Sequence, residues 1–117
     1  MSGLQIEVVD SIRGRYATGL RVDVFALGAG ARKLCSATVN AEGVVDDPAL
    51  AEAIGPGEYE VVFHIGRFFA RLQTAMPTQP LLDTIPFRFS IADGEGYRLP
   101  VRIAPWAFSL DTWRRIA

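Results

Sequence analysis

At 117 residues and a formal net charge of −1, the chain is sized for one domain spanning 1–117, with no excess charge to draw it to a phosphate backbone or an anionic membrane. Half of its residues are hydrophobic and 21% are charged, which excludes a disordered chain. A single cysteine, Cys35, excludes an internal disulfide framework, and no apolar run is long enough to span a bilayer. The N-terminus has no basic start followed by an apolar stretch, so the expectation is a soluble cytoplasmic protein with no nucleic-acid and no membrane partner. Positive charge is almost all arginine, since Lys33 is the only lysine, which favours planar anion recognition over a diffuse basic patch.

The elements read as short strands separated by turn signals. Leu4 to Asp10 alternates apolar and polar residues at period two, the pattern of a strand with one face in a core. Asp10 to Arg15 reads as a loop. Leu20, Val22, Val24 and Ala26 alternate with Arg21, Asp23 and Phe25, and Gly28-Ala29-Gly30-Ala31 turns the chain into a returning strand, Lys33 to Val39. Asn40-Ala41-Glu42-Gly43 is a turn before a short Val44-Val45 strand. Asp47 to Ala53 has a helix-start acid and proline but is long enough for only a turn or two. Glu58 to His64 is the next strand, and Arg67 to Gln73 the best helix, with Phe68, Phe69 and Leu72 on one face. Ile85 to Ile91 alternates again, and Pro86 predicts that it lies at a sheet edge. Gly96 to Ala104 and Trp106 to about Trp113 complete about eight strands. With one short helix, the pattern predicts an all-β two-sheet sandwich.

Most chemistry-bearing residues have an ordinary structural reading. His64 is the only histidine, which excludes a multi-histidine metal site, and no metal-ligand spacing is present; it reads as a strand-end residue hydrogen-bonded locally. Cys35 reads as a small buried apolar group, and Asp46-Asp47 as the cap of the short helix. No metal and no cofactor are expected. The polar face of the terminal strands is different. It carries Gln5 and Glu7 at one end of the chain and Arg98 and Arg102 at the other, either a solvated face with weak ion pairs or a binding groove.

Four blocks of the chain resemble the transthyretin and 5-hydroxyisourate hydrolase family: Val9-Asp10 leading to Arg13-Gly14, Thr38 to Gly43, Gly57 to Phe63 followed by Gly66-Arg67-Phe68-Phe69, and Tyr97 to Ser109. The resemblance implies a sandwich that pairs into homodimers and stacks into a homotetramer, with a ligand channel lined by the first strand and the last two. It also implies that Glu7, Val44 and Arg98 occupy the positions of a histidine, an arginine and a second histidine that serve catalysis in the hydrolases. Arg102 replaces an apolar channel residue, and the tail reads Asp111-Thr112-Trp113-Arg114-Arg115. Two readings follow. In one, Glu7 is a general base and Arg98 an oxyanion partner acting on a purine-derived or related cyclic amide, with Arg102, Asp111 and Arg114 binding the substrate. In the other, the protein is a non-catalytic carrier or scaffold for a small, possibly anionic, ligand.

Overall fold

In the computed structural model, residues 3–52, 54–72, 83–92, 96–110 and 114–116 are described. They form β1 (Gly3–Asp10), β2 (Arg15–Tyr16), β3 (Arg21–Ala26), β4 (Arg32–Thr38), α1 (Pro48–Glu52), β5 (Gly57–His64), α2 (Ile65–Arg71), β6 (Thr84–Ile91), β7 (Gly96–Ala104), β8 (Ala107–Leu110) and β9 (Arg114–Ile116). One sheet runs β2-β1-β7-β8, with β9 also on β7; the other runs β4-β3-β5-β6. The expected all-β two-sheet sandwich is therefore what forms, and none of the described helices is long and apolar enough to cross a membrane.

The period-two alternation of each strand sorts the side chains. Leu4, Ile6 and Val8 of β1 and Leu99, Val101 and Ile103 of β7 are buried against Val22, Val24, Val61 and Phe63 of the opposite sheet. At about 25 cal/mol per Å² of apolar surface, this shared interior is the main favourable contribution to folding. Pro86 sits on β6 at the edge of its sheet, as its missing N–H requires. Pro100 is a harder case because β7 is a central strand. It is accommodated where the partner changes: β9 pairs with Gly96 to Arg98, and β8 with Val101 to Ala104.

Several boundaries differ from the sequence expectations. The expected loop ends at Arg15, where β2 begins, a two-residue strand too short to show a period. Val44 and Val45 make isolated bridges to Glu7 and Val39 rather than a continuous strand. The helix starts two residues earlier than expected, because Ile65 is also buried. A second helix, α1, spans the region expected to hold a turn or two, and Asp47 Oδ1 accepts from Ala49 N at 2.9 Å as expected of a cap. Trp106 lies in the turn before β8, and residues 111–113 of the expected last strand lie outside the described residues.

Two buried aspartates organise the sheets. Asp10 has no exposed surface; it accepts from Ile12 N at 3.0 Å, Arg13 N at 3.3 Å and Arg13 Nε at 2.7 Å, which fixes the turn into β2. Asp23, 6% exposed, accepts from Ser36 on β4, from Arg21 Nε at 3.3 Å and from His64 Nε2 at 2.8 Å. Because an ionised carboxylate only accepts, His64 donates through Nε2. The bond of His64 thus runs across the sheet to a residue 41 positions away rather than to its sequence neighbours. Burial alone would raise the Asp23 carboxyl, but the hydrogen bonds from Ser36, His64 and Arg21 outweigh it and lower its pKa from 3.8 to about 2.

Asp10→Ala leaves two backbone N–H groups and a guanidinium without their acceptor, and a loss of about 1–3 kcal/mol is expected from denaturant titration. The depressed pKa of Asp23 contributes stability that is complete above pH 4 and is lost as pH falls through about 2. The contribution is on the order of 2 kcal/mol. Unfolding of the Asp23→Asn variant followed from pH 5 to pH 2 is expected to show a shallower acid dependence than wild type.

Candidate functional site

The ends of the chain meet in a parallel ladder. β1 and β7 pair residue for residue from Gly3–Gly96 to Asp10–Ile103. This register puts Gln5 beside Arg98, Glu7 beside Pro100 and Val9 beside Arg102, all on the face turned away from the core. Arg98 donates from Nη2 to Glu7 Oε2 at 2.6 Å; the two side chains are 43% and 21% exposed. Glu7 is also the bridge partner of Val44. The three positions singled out by family resemblance are therefore contiguous in space, although they are separated by tens of residues in sequence. Arg102 is exposed on the same face, opposite Val9 and two residues along β7 from Pro100, the partner of Glu7.

The remaining predicted site residues lie toward the C-terminus. The backbone of Arg114 pairs with that of Arg98 through β9, so the ladder row reads Gln5, Arg98, Arg114. Asp111 lies outside the described residues. Tyr16, to which the sequence reading gave no element, joins the same face: β2 pairs with β1 so that Tyr16 stands opposite Val9. Its signal, a bulky aromatic next to a basic-glycine turn, carries no meaning until β2 is seen to pair.

A cleft of about 250 Å³ begins at Gln5 and Val44, the ladder neighbours of Arg98 and Glu7, and extends to Asp46, Asp47, Leu50 and Gly96. Its floor depends on Gly3, at φ +126°: a Cβ there would meet Leu50 O at 3.0 Å and Ala51 Cα at 3.1 Å, so only glycine lets α1 approach β1 this closely. A second cavity of about 240 Å³, between Phe87, Phe89, Tyr97 and Leu99, is mainly apolar and offers no acid–base pair. The Cys35 thiol is buried, and burial raises its pKa to about 11, so it is a packing group rather than a nucleophile. No cluster of potential metal ligands is present among the described residues.

The described residues thus form a two-sheet β-sandwich whose chain ends pair in one sheet, with Glu7, Arg98 and Arg102 on that sheet's outward face. The chain belongs to the HIUase/Transthyretin family, whose model matches residues 4–114. It is 36% identical over 109 residues to 5-hydroxyisourate hydrolase 2 of Rhizobium meliloti (strain 1021), covering 91% of each chain. Among solved structures, it resembles (S)-allantoin synthase at 31% identity and a TM-score of 0.85, covering 98% of this chain but only 43% of that one. Sea bream transthyretin in complex with thyroxine is 18% identical with a TM-score of 0.82, over 98% of this chain and 97% of that one, a likeness of fold.

The Glu7–Arg98 pair is half-exposed, where ion pairs contribute little to stability. A double-mutant cycle of Glu7→Gln and Arg98→Gln, measured by chemical denaturation, is expected to give a coupling energy below about 1 kcal/mol. A much larger value would make the pair a structural clamp rather than a site.

Proposed function

We propose that this protein is a hydrolase related to 5-hydroxyisourate hydrolase, opening a purine-derived or related cyclic amide with a specificity altered by its charged face. The observation that carries this reading is the 2.6 Å Glu7–Arg98 contact on the face where the family resemblance locates catalysis, with their ladder neighbours Gln5 and Val44 lining a cleft. The relatives named 5-hydroxyisourate hydrolase support the reaction class.

The chemistry follows from the groups present. The Glu7 carboxylate takes a proton from a water molecule as that water adds to a ring carbonyl carbon. The carbonyl oxygen becomes an oxyanion, which Arg98 and Arg102 stabilise through guanidinium N–H groups. Arg98 uses one of its five N–H groups on Glu7, so others can meet the substrate. Collapse of the tetrahedral adduct breaks the ring C–N bond, and the proton held by Glu7 passes to the departing nitrogen. The products are an N–H and a carboxylic acid, which ionises to a carboxylate by releasing its proton to solvent, with one water consumed. Asp111 and Arg114 complete the substrate contacts in this reading, and Arg114 is supported by its place in the Gln5–Arg98 ladder row.

We also infer a homodimer or homotetramer in which two such faces oppose each other across a channel, and a cytoplasmic setting that suits the single buried thiol. A carrier role for a small anionic ligand is the second reading. It is favoured by the mutual satisfaction of Glu7 and Arg98, which lets the face rest without a substrate.

The test is the loss of ultraviolet absorbance of freshly generated 5-hydroxyisourate against its spontaneous rate. Wild type is expected to accelerate it. Glu7→Gln is expected to lower the enzymatic rate at least 100-fold while the protein remains folded and assembled. No acceleration by wild type would retire this substrate. Calorimetric binding without turnover would favour the carrier.

A further inference from the structure

We propose that the cavity of about 240 Å³ between β6 and β7 is a second ligand site, which takes a neutral, flat, one- or two-ring aromatic molecule with a hydrogen-bonding edge. It lies between the sheets, on the opposite side of β7 from Arg98, and does not rest on the hydrolase reading.

Period-two alternation turns Phe87, Phe89 and Ile91 of β6 inward, toward Tyr97 and Leu99 of β7. Ile91, Tyr97 and Leu99 are buried, as inward residues of a sandwich should be, but Phe87 and Phe89 are only half-buried. Because β6 is the edge of its sheet, the cavity borders these rings where a neighbouring strand would otherwise cover them. The rings are ordered. Tyr59 and Phe89 stack with centroids 5.9 Å apart and 26° between their planes, and Phe89 and Phe87 stack at 5.7 Å and 21°. The three form one nearly continuous aromatic wall. An apolar void deprives its lining of dispersion partners, and water gains little there because it finds few polar atoms to bond. A flat ring laid against the wall restores the missing contacts.

Size and polarity narrow the class of ligand. An apolar cavity of about 150 Å³ is enough for benzene, so this one has room for a second fused ring. None of the residues that line it is charged, and an ionised ligand would lose its hydration there without compensation. One polar feature remains. Ser90 is on the exposed, outward-facing set of β6 residues, so it is the Ser90 backbone that borders the cavity. Glu58 O accepts from Leu27 N, on the β3 side of β5. By alternation Tyr59, not Glu58, bonds across to β6, and Ser90, the ladder partner of Glu58, turns its N–H and C=O toward the sheet edge. Pro86 belongs to the same alternate set, as a residue without an N–H must. A ring N–H or ring nitrogen at the ligand's edge meets that backbone.

The experiment titrates the full chain with indole, a neutral two-ring probe with one N–H, by calorimetry and by NMR of the methyl groups. Saturable binding is expected, moving the signals of Ile91 and Leu99 and leaving those of Val44 and Leu50 in the other cleft unmoved. Indole-3-carboxylate is expected to bind about tenfold more weakly or worse. Leu99→Phe, which fills the cavity, is expected to weaken indole binding about tenfold or more. Phe89→Leu keeps an apolar wall without a stacking face; about tenfold weaker binding is expected, and this variant carries the comparison if Leu99→Phe does not fold. Absence of saturable binding, unchanged affinity in either folded variant, or shifts at Val44 and Leu50 would overturn the proposal. So would binding that emerges only when dilution separates associated copies, because the cavity would then belong to a contact between chains.

Discussion

The parallel pairing of β1 with β7 is the constraint on which the rest of the structure depends. It joins residues more than ninety positions apart, a non-local contact whose chain-entropy cost the rest of the fold must offset. Its register is enforced by burial. Leu4, Ile6 and Val8 must face the core together with Leu99, Val101 and Ile103. A slip of one residue would place Glu7 and Arg98 inside and those apolar side chains outside, at a cost far beyond the stability of a domain of this size. The charged face therefore follows from the apolar one.

The edge of β1 is assembled from fragments. β2 covers its last two residues, and residues 43–45 cover its middle. Asp10 holds the first fragment by closing the turn that leads to it, and Ser11 ties the same turn to Ile103 O on β7 through both its N–H and its hydroxyl. A continuous partner strand would have sealed this edge. Two short pieces instead leave Tyr16 packed on Gly43 and Val44 bridged to Glu7, with the cleft beginning at Val44 and Gln5.

The two sheets use their charges differently. On the second sheet, Asp23 is buried and accepts from Ser36, Arg21 and His64, so that network ties β3 to β4 and β5. On the first, Glu7 and Arg98 satisfy each other in a half-exposed contact that water and ligand can reach. A buried network of this kind resists exchange of partners, whereas a solvated pair can open with little loss. That contrast makes the Asp23 cluster a structural tie and is consistent with the proposed role of the Glu7–Arg98 face.

Much of this was legible in the residues themselves. Period-two alternation located β1, β3, β5, β6 and β7, because a strand half in a core must alternate, and the glycine-rich turn located β4; Pro86 marked the edge strand because proline cannot donate to a ladder. The polar positions Glu7, Arg98 and Arg102 stood out for the same reason, as did the buried character of Cys35. Alternation is local, however. It does not say which strand lies beside which, so the sequence could not tell a pair of solvated charges from two charges in contact at 2.6 Å. Nor could it find Tyr16, since a two-residue strand has no period and gains its face only from Val9 across the ladder. Sequence determined which residues turn inward and which outward; the tertiary pairing decided which outward residues meet, because hydrophobic burial fixes faces while only long-range register fixes neighbours.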